Sequence, residues 1–67
     1  MMELLINGAT TTVPDDATVA DLIDVLSLPD RGVAIAVDDA VVPKGRWATT
    51  ALAARARVEI LTAVQGG

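Results

Sequence analysis

A chain of 67 residues with a formal charge of −4, 52% hydrophobic residues and a single aromatic, Trp47, can build one small domain spanning residues 1–67, its core made of Val, Leu, Ile and Ala. It has no cysteine, which removes disulfide staples, thiolate chemistry and Cys-based zinc sites together and points to a cytoplasmic setting. No stretch is apolar and long enough to serve as a signal sequence or to cross a bilayer, so the positive mean hydropathy is read as core, and no membrane partner is expected.

The first element is "MELLIN", in which Met2, Leu4 and Ile6 alternate with Glu3, Leu5 and Asn7 at the period of a half-buried strand. Asn7-Gly8 follows. Both residues accept the positive φ of a two-residue primed turn, so the chain is predicted to reverse there into "ATTTV", a β-branched return strand that Pro14 ends because it has no N–H to donate.

In "DDATVADLIDVLSLP", Thr18 and Asp21 stand in the N-cap and N3 relation of a capping box, with Asp in place of the usual Glu or Gln. The helix they start places Val19, Leu22, Ile23 and Leu26 on one apolar stripe with Asp21 and Asp24 toward solvent, and it must end by Leu28 because Pro29 biases its predecessor away from the α region. "VAIAV" is a third strand, Asp38-Asp39 a turn, and "AVV" a short fourth strand closed by Pro43. The stretch 44–57 gives mixed signals: Ala-rich helix propensity in too little chain for a long helix. It is expected to hold a turn around Trp47, a short strand or irregular run, and a second turn. "RVEILTAV" is the last strand. The order predicts an α+β fold with a mixed sheet of four to five strands and one main helix packed across it.

Catalytic chemistry has few parts to work with. There is no His or Cys, and the only serine, Ser27, has no base near it in sequence, so a nucleophilic triad is excluded and no catalytic residue is assigned. The carboxylate pairs Asp15-Asp16 and Asp38-Asp39 are read as turn and helix-entry residues, which bond their own backbone, so no metal site is assigned. No Gly-rich phosphate loop occurs. Residues 1–40 carry eight acids against Arg31, whereas residues 41–67 carry Lys44, Arg46, Arg55 and Arg57 against Glu59. This split suggests an acidic helix side and a basic region close to the last strand, able to steer a partner, although ordinary solvated surface gives the same pattern. An acidic chain with no stacking aromatics among its bases argues against nucleic-acid binding.

If the last strand turns Val58, Ile60 and Thr62 toward the helix, then Glu59, Leu61 and Ala63 face the open side of the sheet, with Leu5, Ala34 and Ala36 on that side by the phase of their own strands. Leu61, Leu5, Ala34 and Ala36 then make a shallow apolar patch suited to docking a protein, or the scattered exposure that any surface shows. Beyond it, Val64, Gln65, Gly66 and Gly67 reach about 13 Å when extended. A Gly-Gly terminus can pass through a slot too narrow for side chains and deliver its carboxylate to a remote site; it can also be a frayed end.

"VAIAVDDAVVPKGRW" together with "VEILTAVQGG" resembles the ThiS sulfur carriers of thiamin biosynthesis, over nearly the whole chain. Three departures stand out: Asp38 where Asn is frequent, "AARARVE" in place of a Gly-Asp turn, and Gln65 at a position often Gly or Ala. The resemblance implies a ubiquitin-like β-grasp fold and a flexible C-terminal tail. It also implies a monomeric carrier that is not itself an enzyme and holds no cofactor. An adenylyltransferase related to ubiquitin-activating enzymes would use ATP to adenylate Gly67, a sulfur donor such as a cysteine desulfurase would supply the thiocarboxylate sulfur, and thiazole synthase would consume it. Gly66, Gln65 and Val64 would lie in the partner's active site. The small subunit of molybdopterin synthase, a protein-modifying ubiquitin-like tag, and a small binding module with an incidental tail are the alternatives.

Overall fold

The computed structural model describes residues 1–29 and 31–62. Strands β1 (Met2–Ile6) and β2 (Ala9–Val13) form an antiparallel hairpin, followed by helix α1 (Val19–Val25), strands β3 (Val33–Val37) and β4 (Ala40–Val42), a 3-10 helix (Lys44–Thr49) and strand β5 (Arg57–Thr62). The strands form one sheet in the order β2-β1-β5-β3-β4, in which β5 runs parallel to β1 and antiparallel to β3.

Local chemistry accounts for most of these boundaries. Asn7 and Gly8 have φ of 50° and 84°, and Asp38 and Asp39 have φ of 49° and 71°, so both hairpins turn on two consecutive left-handed residues, the backbone of the primed turn. At α1 the Thr18 hydroxyl accepts from the Asp21 N–H at 3.3 Å and the Asp21 carboxylate accepts from the Thr18 N–H at 2.8 Å, a complete capping box. The helix ends at Val25, well before Pro29, because Ser27 adopts a left-handed φ of 54°. There the Ser27 N–H bonds the Asp24 carbonyl and the Leu28 N–H bonds the Ile23 carbonyl, the paired pattern of a Schellman stop.

The core lies between the sheet and α1. Leu4, Ile6, Val13, Ile35, Val58 and Ile60 come from the sheet, and Val19, Leu22 and Ile23 from the helix. Leu4 and Leu22 are fully buried, each removal from water contributing about 1.5–3 kcal/mol. Trp47 closes one end. The segment around it is a 3-10 helix packed against α1 rather than a simple turn; Trp47 is buried in the core cluster that also holds Leu52 and the inward residues of α1, and its indole N–H donates to the Val42 carbonyl at 3.0 Å. After it, residues 50–52 pair with 17–19 at the start of α1, through Val19 N–H to the Thr50 carbonyl and Leu52 N–H to the Ala17 carbonyl, each at 3.0 Å. The second expected turn is centred on Ala54-Arg55, where Arg55 takes a φ of 66°.

Candidate functional site

The phase of β5 decides what the open face of the sheet presents. Val58 and Ile60 are buried against the helix layer and Glu59 and Leu61 point the other way, with Leu61 69% exposed. Thr62 shares the inward phase of Ile60 but is exposed at the end of the strand. On β3, Ile35 is buried and Val33 packs against the core, which puts Ala34 and Ala36 on the same open face as Leu61. The register completes the cluster: Ala34 lies opposite Leu61, and Ala36 lies opposite Glu59 on one side and Val41 on the other.

These residues line one shallow concavity formed by Ala34, Ala36, Val41 and Leu61, with the Asp39 and Glu59 carboxylates at its rim. It is continuous, through Ala34 and Leu61, with a second depression that includes Gly32 and Thr62 at the end of β5. Val41, 76% exposed, is the part of the site that sequence reading missed. A strand of three residues has no legible period; its phase is set only because Val42 packs inward, beside the carbonyl that Trp47 holds.

Leu5 takes the expected face but not the expected place. It sits opposite Arg57 at the start of β5, four residues and about 13 Å along the strand from Leu61. The depressions it lines are shared with Arg55 and Thr10 on one side and with Asn7, Arg57 and Glu59 on the other. The structure therefore brings Leu61, Ala34 and Ala36 together with Val41 and leaves Leu5 apart, with Arg57 and Glu59 between them along the strand. Val64, Gln65, Gly66 and Gly67, and Ala63, which the sequence reading expects on the open face, lie outside the described residues.

The bases do not form the single region near the last strand that their sequence grouping suggests. Lys44 and Arg46 are on the 3-10 helix, which packs against α1, whereas Arg55 lies in the turn before β5 and Arg57 is its first residue. Arg57 is moreover tied into the acidic half of the chain: its guanidinium meets the Asp39 carboxylate at 2.7 Å and its backbone N–H donates to Asp38 Oδ1 at 2.9 Å. The Asp38-Asp39 carboxylates thus serve β5 rather than one another. Both members of the ion pair are well exposed, so it contributes little beyond orienting Arg57.

With the sheet order, the helix across it and the apolar concavity at the end of β5 in view, comparison with known proteins decides the family. The ThiS family model matches residues 2–67. The chain belongs to the ThiS family. Among solved structures, the crystal structure of a thiamine biosynthesis protein (ThiS) from Geobacter metallireducens superposes with a TM-score of 0.83 at 25% sequence identity, covering 98% of this chain and 100% of that one. No curated protein matches the sequence. The ubiquitin-like β-grasp of the ThiS family is therefore the fold of this chain, with the helix packed on one face of a five-stranded mixed sheet. Where ThiS proteins commonly turn on Gly-Asp before the last strand, this member uses Ala54-Arg55. Arg55 carries the left-handed φ that glycine would otherwise supply, while its N–H bonds the Glu3 carbonyl at 2.6 Å. No described helix is long and apolar enough to cross a membrane.

Proposed function

We propose that this protein is a sulfur carrier for the thiazole moiety of thiamin, a cosubstrate of other enzymes rather than an enzyme. The observation that carries this reading is the ThiS family match, which runs through Gly67. The open-face concavity of Ala34, Ala36, Val41 and Leu61 supports it, as an apolar surface of a kind that docks proteins, set beside the end of the strand that leads to the terminal glycines.

In this mechanism a Gly67 carboxylate oxygen attacks the α-phosphorus of ATP in the adenylyltransferase, and pyrophosphate leaves. Sulfur delivered by the donor at the hydrosulfide level then attacks the acyl carbon, the C–O bond to AMP breaks, and a thiocarboxylate remains. Thiazole synthase takes its sulfur from that group. Adenylation comes first because oxide is a poor leaving group and AMP a good one. The carrier supplies position: Leu61 and its neighbours dock, and Val64 to Gly67 reach into the partner's active site. This division of labour suits a chain that has no His or Cys.

The test is the intact mass of the protein purified from a sulfur-replete host that contains the activating enzymes. Replacement of one oxygen by sulfur at the terminus is the expected result. Attachment to lysines of other proteins would instead show a protein-modifying tag, and an unmodified terminus with every activating partner would show a binding module.

A further inference from the structure

Strand β5 is held on its two edges by the first residues of the two hairpin turns, and the two residues do different work. At its start, Asp38 donates its backbone N–H to the Arg57 carbonyl at 2.8 Å, and the Arg57 N–H returns a bond to the Asp38 side-chain Oδ1 at 2.9 Å. Only an acceptor is asked of that side chain, and a carboxylate provides it. Along the opposite edge, β1 pairs with the first residues of β5 through Leu5 N–H to the Ala56 carbonyl at 3.0 Å and Asn7 N–H to the Val58 carbonyl at 2.9 Å, and then β1 stops because the chain reverses at Asn7-Gly8. The next rung is made by a side chain. Asn7 Oδ1 accepts from the Ile60 N–H at 2.8 Å, and Asn7 Nδ2 donates to the Ile60 carbonyl at 3.2 Å. A primary amide presents a donor and an acceptor as a peptide unit does, so Asn7 stands in for the strand residue that the turn removes. Asp lacks the donor and would set a carboxylate against the Ile60 carbonyl. Gly, which suits the φ of 50° equally well, has neither group.

We infer that Asn7 is a positioning residue for the terminal chemistry: its side-chain amide fixes Ile60, and through it the direction in which β5 delivers the C-terminal residues relative to the docking concavity. This rests on the sulfur-carrier reading. On its far side β5 is paired with β3 as far as Thr62, so Leu61 keeps its place against Ala34 whether or not Asn7 is present. Toward β1, Asn7 is what holds β5 beyond Val58. Loss of the clamp frees one edge of the strand just before the terminal segment, leaving docking intact and delivery imprecise.

The experiment compares the full-length parent with Asn7→Gly, Asn7→Asp and, as a control for side chains at the paired turn, Asp38→Asn. Each is tested for amide hydrogen exchange and for steady-state pyrophosphate exchange into ATP with a ThiS-class adenylyltransferase. Asn7→Gly, which keeps the turn, should expose the Ile60 amide to exchange while the Arg57 amide stays protected. Its kcat should fall on the order of 10-fold to 100-fold, as expected for ångström-scale misplacement, with an unchanged KM. Asn7→Asp should keep the Ile60 amide protected, since an acceptor remains, yet lose kcat through the missing donor. Asp38→Asn should match the parent in both measurements. The positioning role is overturned if Asn7→Gly loses Ile60 protection and keeps its kcat, if kcat falls only together with a matching rise in KM, or if Ile60 stays protected without the amide. A parent chain that supports no pyrophosphate exchange would instead overturn the carrier reading, and the positioning role with it, while the exchange data would still show whether the clamp exists.

Discussion

Trp47 and Leu61 are large apolar side chains in opposite surroundings, one buried and one exposed, and each carries a prediction. Trp47 is buried, and its indole N–H satisfies the Val42 carbonyl at 3.0 Å. Trp47→Ala should cost about 3 kcal/mol or more, from lost burial plus the cavity, a large share of what so small a domain has. Trp47→Phe should recover the packing but leave the Val42 carbonyl without its indole partner, costing about 1 kcal/mol relative to the parent. Urea denaturation followed by circular dichroism separates these cases; a parent-like midpoint for Trp47→Ala would show that the ring is not part of the core. Leu61, 69% exposed, should behave in the opposite way. Leu61→Asp should leave the unfolding midpoint within roughly 0.5 kcal/mol of the parent and weaken binding to the adenylyltransferase by placing a charge in the interface. Val41→Asp should do the same, since it shares the concavity, whereas Leu5→Asp should affect binding less because Leu5 lies some 13 Å away along the sheet. Titration calorimetry ranks the three, and a greater loss for Leu5→Asp than for Leu61→Asp would relocate the docking surface.

At the level of elements, the sequence was most legible where structure is decided by neighbours in the chain. The Asn7-Gly8 turn and the Thr18/Asp21 capping box both form as their residue types require, because their hydrogen bonds and dihedral angles are local. Thr18→Ala should therefore destabilise the protein by about 1 kcal/mol in the same denaturation experiment, and no change would mean that the box is redundant with the pairing of residues 50–52 against 17–19. The stretch 44–57 was less legible because tertiary contacts decide it. Its alanines favour helix, but burial of Trp47 against α1 selects a six-residue 3-10 turn and the bridge at Ala51 then carries the chain away. Arg55 is the residue that pays least attention to its intrinsic preference, with a φ of 66°. Arg55→Gly should raise stability by about 1 kcal/mol by relieving that conformation. A decrease of similar size would show that the Arg55 side chain contributes more than the turn costs.

Across the whole molecule, periodicity gave the faces of the strands but not their order. The parallel contact between β1 and β5 joins residues more than fifty positions apart, and no local pattern announces it. The ThiS resemblance supplied the β-grasp fold class, which the family match and superposition bear out, while the strand order is a finding of the structure. Assembly also explains the split of the candidate patch. Alternation correctly put Leu5, Ala34, Ala36 and Leu61 on one face, but distance along that face depends on register, which placed Leu5 beside Arg57 and Val41 beside Ala36. The central claim is that this scaffold exists to present a reactive terminus made elsewhere, so that folding and chemistry separate at the last residues. It is tested most directly by the intact mass of the full chain and of a Gly67 deletion after incubation with a ThiS-class adenylyltransferase, MgATP and a sulfur donor. The two should unfold identically. The full chain should gain one sulfur in place of oxygen, and the deletion, shortened in reach by about 3.5 Å, should gain none. A thiocarboxylate on the deletion, or a full chain that stays unmodified, would contradict the account.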